Sequence, residues 1–148
     1  MRSQATHSTP RKLLSLLALC LVLLCVIGVS AQSSTPDPVA SLRSAKTIYV
    51  KSSSLLVGNS VIEEKLQQRA EFSQMGLVIT RDPQAADLIL EVHHDVLTKY
   101  VYTAIDPKLN IVVASGKLSS LGGTVAGKVA KRFLKQMMQA RATAPVTK

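Results

Sequence analysis

Three groups of residues have types and spacing that could do chemistry. Gly122-Gly123-Thr124-Val125-Ala126-Gly127-Lys128-Val129 fits GxxxxGK, the spacing of a phosphate-binding loop. That chemistry needs a Ser or Thr hydroxyl after the lysine to hold magnesium, and Val129 stands there. The segment therefore reads as turn glycines followed by ordinary helix residues, with no nucleotide expected. His93-His94 lies within Glu91-Val92-His93-His94-Asp95 and suggests a metal. In a strand, neighbouring side chains point to opposite faces, so the two histidines cannot share an ion. Glu91, His93 and Asp95 do share a face, but their spacing of ~7 Å suits one tetrahedral ion poorly. No metal or other cofactor is expected.

The third group is nucleophilic. Many serines accompany the two histidines, and a hydrolytic triad is assembled in space, not along the chain. The sequence contains neither a Gly-x-Ser-x-Gly elbow nor His-Glu-x-x-His. The reading is a non-catalytic protein, with a hydrolase as the minor alternative.

Strands and helices must place these residues. Arg11 and Lys12 precede an uncharged apolar run from Leu13 to Val29, and Val29-Ser30-Ala31 offers small residues for signal peptidase. Residues 1–31 are read as an export signal; the alternative is an anchor in the cytoplasmic membrane formed by Leu13 to Val29. Cys20 and Cys25 both fall inside that run, preceded by Leu19 and Leu24, which does not suit lipoprotein processing. Removing the leader takes Arg2, Arg11 and Lys12 with it and lowers the formal charge from +9 to +6. What remains lacks cysteine, as suits a periplasmic or secreted bacterial domain that relies on its core. Export and the absence of aromatic residues among the basic ones argue against nucleic acid as a partner.

Residues 32–46, rich in Ser, Pro and Asp, read as a flexible linker; one domain spans 47–142 and a tail 143–148. Thr47 to Lys51 reads as a strand. Ser60-Val61-Ile62-Glu63 matches a capping box opening a helix, with Ile62, Leu66 and Ala70 as its buried stripe and Gly76 at its end. Leu77 to Thr80 is apolar enough to predict a strand inside the sheet. One helical turn near Gln84, a strand from Asp87 to Val96, and a hairpin through Asp106 to Asn110 follow. Thr124 is expected to cap a last helix running to about Arg141. The expected class is α/β (α+β): a mixed four- to five-stranded sheet with two helices on one face, in the order β-α-β-β-β-β-α.

Gly76 to Val92, GLVITRDPQAADLILEV, and Asp106 to Lys117, DPKLNIVVASGK, resemble small exported α/β domains of bacterial envelopes. These are the amino-terminal domain of TolB, the CsgG-type secretion lipoproteins and related domains of unknown function. Ala86-Asp87-Leu88 carries most of the likeness, and the missing lipoprotein cysteine departs from the lipoprotein members. The resemblance implies a non-catalytic assembly or binding domain in the cell envelope.

Two surfaces are then candidates for a partner. Strand alternation is taken to gather Tyr49, Tyr100 and Tyr102 with Glu91 and His93 on the helix-free face, where another envelope protein would dock. Lys128, Lys131, Arg132 and Lys135 form a basic stripe on the last helix, extended by Arg141 and Lys148. That stripe suits an anionic membrane surface, the second reading being a membrane-tethered accessory protein.

Overall fold

The computed structural model describes residues 36–96, 98–120 and 124–143. The elements run α1 (Pro38–Ser44), β1 (Thr47–Ser52), α2 (Asn59–Gln67), α3 (Ala70–Gln74), β2 (Val78–Ile79), a 3-10 turn (Pro83–Ala85), β3 (Leu88–His94), β4 (Lys99–Asp106), β5 (Ile111–Ser119) and α4 (Val125–Ala142). The strands form one mixed sheet in the order β2-β1-β3-β4-β5. β1 is parallel to β2 and β3, while β3, β4 and β5 pair antiparallel. The expected class stands: a mixed five-stranded sheet combined with helices.

Alternation along the strands builds the core. Ile48 and Val50 of β1 and Leu88, Leu90 and Val92 of β3 are buried together. Val125, Val129, Phe133 and Met137 of α4, four residues apart, are fully buried in the same cluster. Ile62 and Leu66 of α2 complete it.

Several expectations are corrected. The proposed linker contains α1, started by Asp37, whose carboxylate accepts from the Val39 N–H at 2.9 Å. Leu42 and Ala45 are buried, and Arg43 donates to the carbonyls of Ala140 and Thr143 at 3.0 Å each, tying this segment to the end of α4. The capping box does not form, because α2 begins a residue earlier than Ser60, with Gly58 as its N-cap. Glu63 turns instead to Arg81, 2.8 Å away. The expected long helix is two, broken where Arg69 takes extended angles. Phe72 lies six residues after Leu66, about 120° off the buried stripe of a continuous helix, and the break lets it reach the core.

Leu77 to Thr80 is an edge, not an interior strand: β2 is two residues long and has only β1 as a neighbour. Its apolar look comes from Leu77, buried just before the strand, while Val78 is exposed. Thr124 precedes α4, but its side chain makes no capping bond; its hydroxyl meets that of Ser120.

Candidate functional site: the helix-free face of the sheet

Reading across the strands at fixed register gives the helix-free face as rows. Tyr49 lies opposite Ile89, Ile89 opposite Ile105, and Ile105 opposite Val112. This apolar row crosses four strands, about 14 Å at ~4.8 Å per strand. Tyr49, Ile89 and Ile105 are half-buried and Val112 is exposed. The next row is polar: Lys51, Glu91, Thr103 and Ser115. In the third, His93 faces Val101, and Val101 faces Lys117.

Glu91 is the electrostatic centre. Lys51 Nζ lies 2.9 Å from its carboxylate, and His93 Nε2 lies 3.3 Å away. The hydrogen bond from Lys51, more than the contribution of His93, holds the Glu91 carboxyl below the usual carboxylate range. The other ring nitrogen of His93, Nδ1, is 2.7 Å from Ser53 Oγ. Ser53, His93 and Glu91 are thus linked in the order of a hydrolytic triad. Ser53 and His93 are both exposed, however, and Glu91 is already ion-paired to Lys51.

Sequence alternation places Tyr49, Glu91 and His93 correctly and the other two tyrosines wrongly. Tyr102 pairs with Val92, and Tyr100 with His94. Directly opposed residues share a face, so both tyrosines point under the helices, where each is 1% exposed. Burial raises the Tyr102 hydroxyl's pKa above its ordinary value. His94 packs against Tyr100 at the rim, ring centroids 4.8 Å apart and planes tilted by 40°. Ile89, Ile105 and Val112 were missed as surface residues. Their signal was present: Leu88-Ile89-Leu90 is apolar in both phases, as in strands covered on both faces.

The basic stripe is divided. Lys128 Nζ donates to the Ser119 carbonyl at 3.2 Å, and Arg132 donates to that of Lys117. Lys131 and Lys135 are exposed. Arg141 is structural, donating to the carbonyls of Met75 at 2.8 Å and Ala45 at 2.7 Å. Gly127 and Lys128 lie in the first turn of α4 and Val129 is fully buried; Gly122 and Gly123 lie outside the described residues. Among the described residues no cluster of three or more His, Cys, Asp or Glu is placed to hold a metal, and no helix is long and apolar enough to cross a membrane. The expected export signal, or anchor, within residues 1–31 lies outside the described residues.

No protein-family model matches the chain, and no curated protein does. Among solved structures it is similar to the PelC dodecamer of Paraburkholderia phytofirmans, at 15% identity and a TM-score of 0.40, over 62% of this chain and 87% of that one. It is also similar to a neuraminyllactose-binding hemagglutinin homolog of Helicobacter pylori, at 10% identity and a TM-score of 0.31, over 70% of this chain and 88% of that one. Likenesses this distant carry no argument about what the chain does.

Proposed function

We propose that this chain is an exported, non-catalytic binding domain of the bacterial cell envelope that holds another envelope protein against the helix-free face of its sheet. The row Tyr49, Ile89, Ile105 and Val112 carries the reading. It is apolar surface left without a helix, beside a polar row that would fix orientation. The resemblance around Ala86-Asp87-Leu88 and the leader sequence support the envelope setting. A photo-crosslinking residue in place of Tyr49 or Ile105 in intact cells is expected to capture the same partner from both positions, and not from Lys135 on α4. No adduct at either position, or the same adducts at all three, would overturn it.

The linkage Ser53-His93-Glu91 favours a second reading, a serine hydrolase. With Ser53 donating to Nδ1 and Nε2–H donating to Glu91, one histidine tautomer satisfies both contacts. Labelling by a fluorophosphonate decides it: the binding-domain reading expects no label on wild type, whereas labelling lost in Ser53→Ala establishes the hydrolase.

A further inference from the structure

We infer that the end of the sheet where β1 and β3 finish docks onto an anionic phospholipid bilayer, with Leu55, Leu56 and Val96 entering the interface. The inference is independent of what binds the sheet face. Leu55 is fully exposed, Leu56 is 66% exposed and Val96 57%. The leucines are held outward by a structured loop. Ser52 Oγ donates to the Val57 carbonyl at 2.6 Å and accepts from the Ser54 N–H at 3.2 Å. Ser54 Oγ accepts from the Leu56 N–H at 3.2 Å, and Asn59 Oδ1 accepts from the Ser52 N–H at 2.7 Å. Val57 is buried and pins the loop to the core. Its base is anchored, so the loop presents two large apolar side chains to solvent at a standing cost in free energy.

The partner is argued from charge. β4 begins and β5 ends at this same end of the sheet. Lys99, Lys117 and Arg132 line a cavity of about 330 Å³ there, together with Asp95 and Tyr100. Lys128 borders the adjoining depression around Ser119. Among the residues lining these two depressions four are cations, Lys128 and Arg132 being bonded to the Ser119 and Lys117 carbonyls, and one, Asp95, is an acid. From β1 to β5 the end spans about 14 Å, so the apolar loops and the cations can meet one plane. Apolar tips beside a cationic rim match a bilayer interface with anionic headgroups, where side chains enter the acyl boundary and lysines stay among phosphates.

The chain contains no tryptophan, so Leu55→Trp in the full chain supplies a single local probe. Leu109→Trp, in the exposed hairpin turn at the opposite end of the sheet, is the control. On vesicles of mixed phosphatidylglycerol and phosphatidylcholine, the Leu55→Trp emission is expected to shift to the blue and to be quenched by brominated acyl chains. On phosphatidylcholine alone it should not, and the control should stay silent on both. Adding Lys99→Gln and Lys117→Gln should raise the lipid needed for half response about fivefold for each lysine removed. A silent Leu55→Trp, an equal response on neutral vesicles, or an equal response from the control would overturn the inference. So would loss of the response to millimolar glycerol phosphate, which would mark a site for free phosphoesters.

Discussion

The hydroxyl of Tyr102 donates to the side-chain oxygen of Gln136 at 3.0 Å, joining the middle of β4 to α4. Gly116 of β5 lies directly opposite Tyr102. A Cβ there would stand 2.6 Å from the tyrosine ring and hydroxyl, so the missing side chain is the space the ring occupies. Gln136 then donates through Nε2 to the Ser115 carbonyl at 3.1 Å, closing a link across three elements.

Gly116→Ala must displace a ring that is buried and bonded at its tip, so it should destabilise the fold by about 1–3 kcal/mol. Tyr102→Phe keeps the packing and loses one hydrogen bond, for about 1 kcal/mol. Urea midpoints of the two variants check the order; a neutral Gly116→Ala would mean that the tyrosine lies elsewhere.

Gln136 belongs to a second pattern. Lys128, Arg132 and Gln136, four residues apart on α4, donate to the carbonyls of Ser119, Lys117 and Ser115, two residues apart on β5. In an antiparallel pair, alternate residues of an edge strand turn their N–H and C=O outward. One helix thus covers three carbonyls along the second half of an edge strand nine residues long. Such an edge otherwise templates pairing between chains. Replacing all three residues by Ala should leave a folded domain that self-associates, visible as concentration-dependent dimers and larger species in sedimentation velocity. A strictly monomeric triple variant, with wild type also monomeric, would contradict the sealing role.

The strands were legible because alternation and turn residues fix them locally: Thr47 to Lys51, the one-turn segment near Gln84 and the 106–110 turn all fall where expected. Asp106 shows why. Its carboxylate accepts from the N–H groups of Lys108 and Leu109 at 2.9 and 3.1 Å, a contact within one turn. What the sequence hid depends on partners distant in the chain. The phase of Tyr100 and Tyr102 is set by register against β3, and a shift of one residue reverses a face. The roles of Lys128, Arg132 and Arg141 depend on which carbonyls lie beneath them. A run of cations has the same appearance in sequence whether it seals an edge or faces solvent.

The corrected faces predict a chemical difference among the three tyrosines. Tyr49 is half-buried on the open face, while Tyr100 and Tyr102 are enclosed. Tetranitromethane should modify Tyr49 in the folded protein and the other two only in urea, as read by peptide mass. Nitration of Tyr100 or Tyr102 at the rate of Tyr49 would restore the three-tyrosine surface and remove the apolar row's claim to the face.

Asp87, the centre of Ala86-Asp87-Leu88, fixes the start of β1. Its carboxylate accepts from the backbone N–H groups of Lys46 at 3.0 Å and Thr47 at 3.1 Å, and from Lys108 Nζ at 3.1 Å. The Lys46 N–H leads in lowering its pKa to about 2, against the opposing effect of burial, with Thr47 and Lys108 adding to it. A carboxyl whose folded pKa lies below its unfolded value stabilises the fold above the unfolded value, near pH 4, and loses that contribution as pH falls through about 2. Because the side chain is 31% exposed, solvent screens part of this, and about 1 kcal/mol is expected at neutral pH. Asp87→Asn should therefore be less stable than wild type by about 1 kcal/mol from pH 7 down to about 4, with the gap closing toward pH 2. Denaturant midpoints measured across that range test it. A gap that persists unchanged at pH 2 would show that the loss is one of packing, and that the charge of Asp87 does not hold β1 to the hairpin.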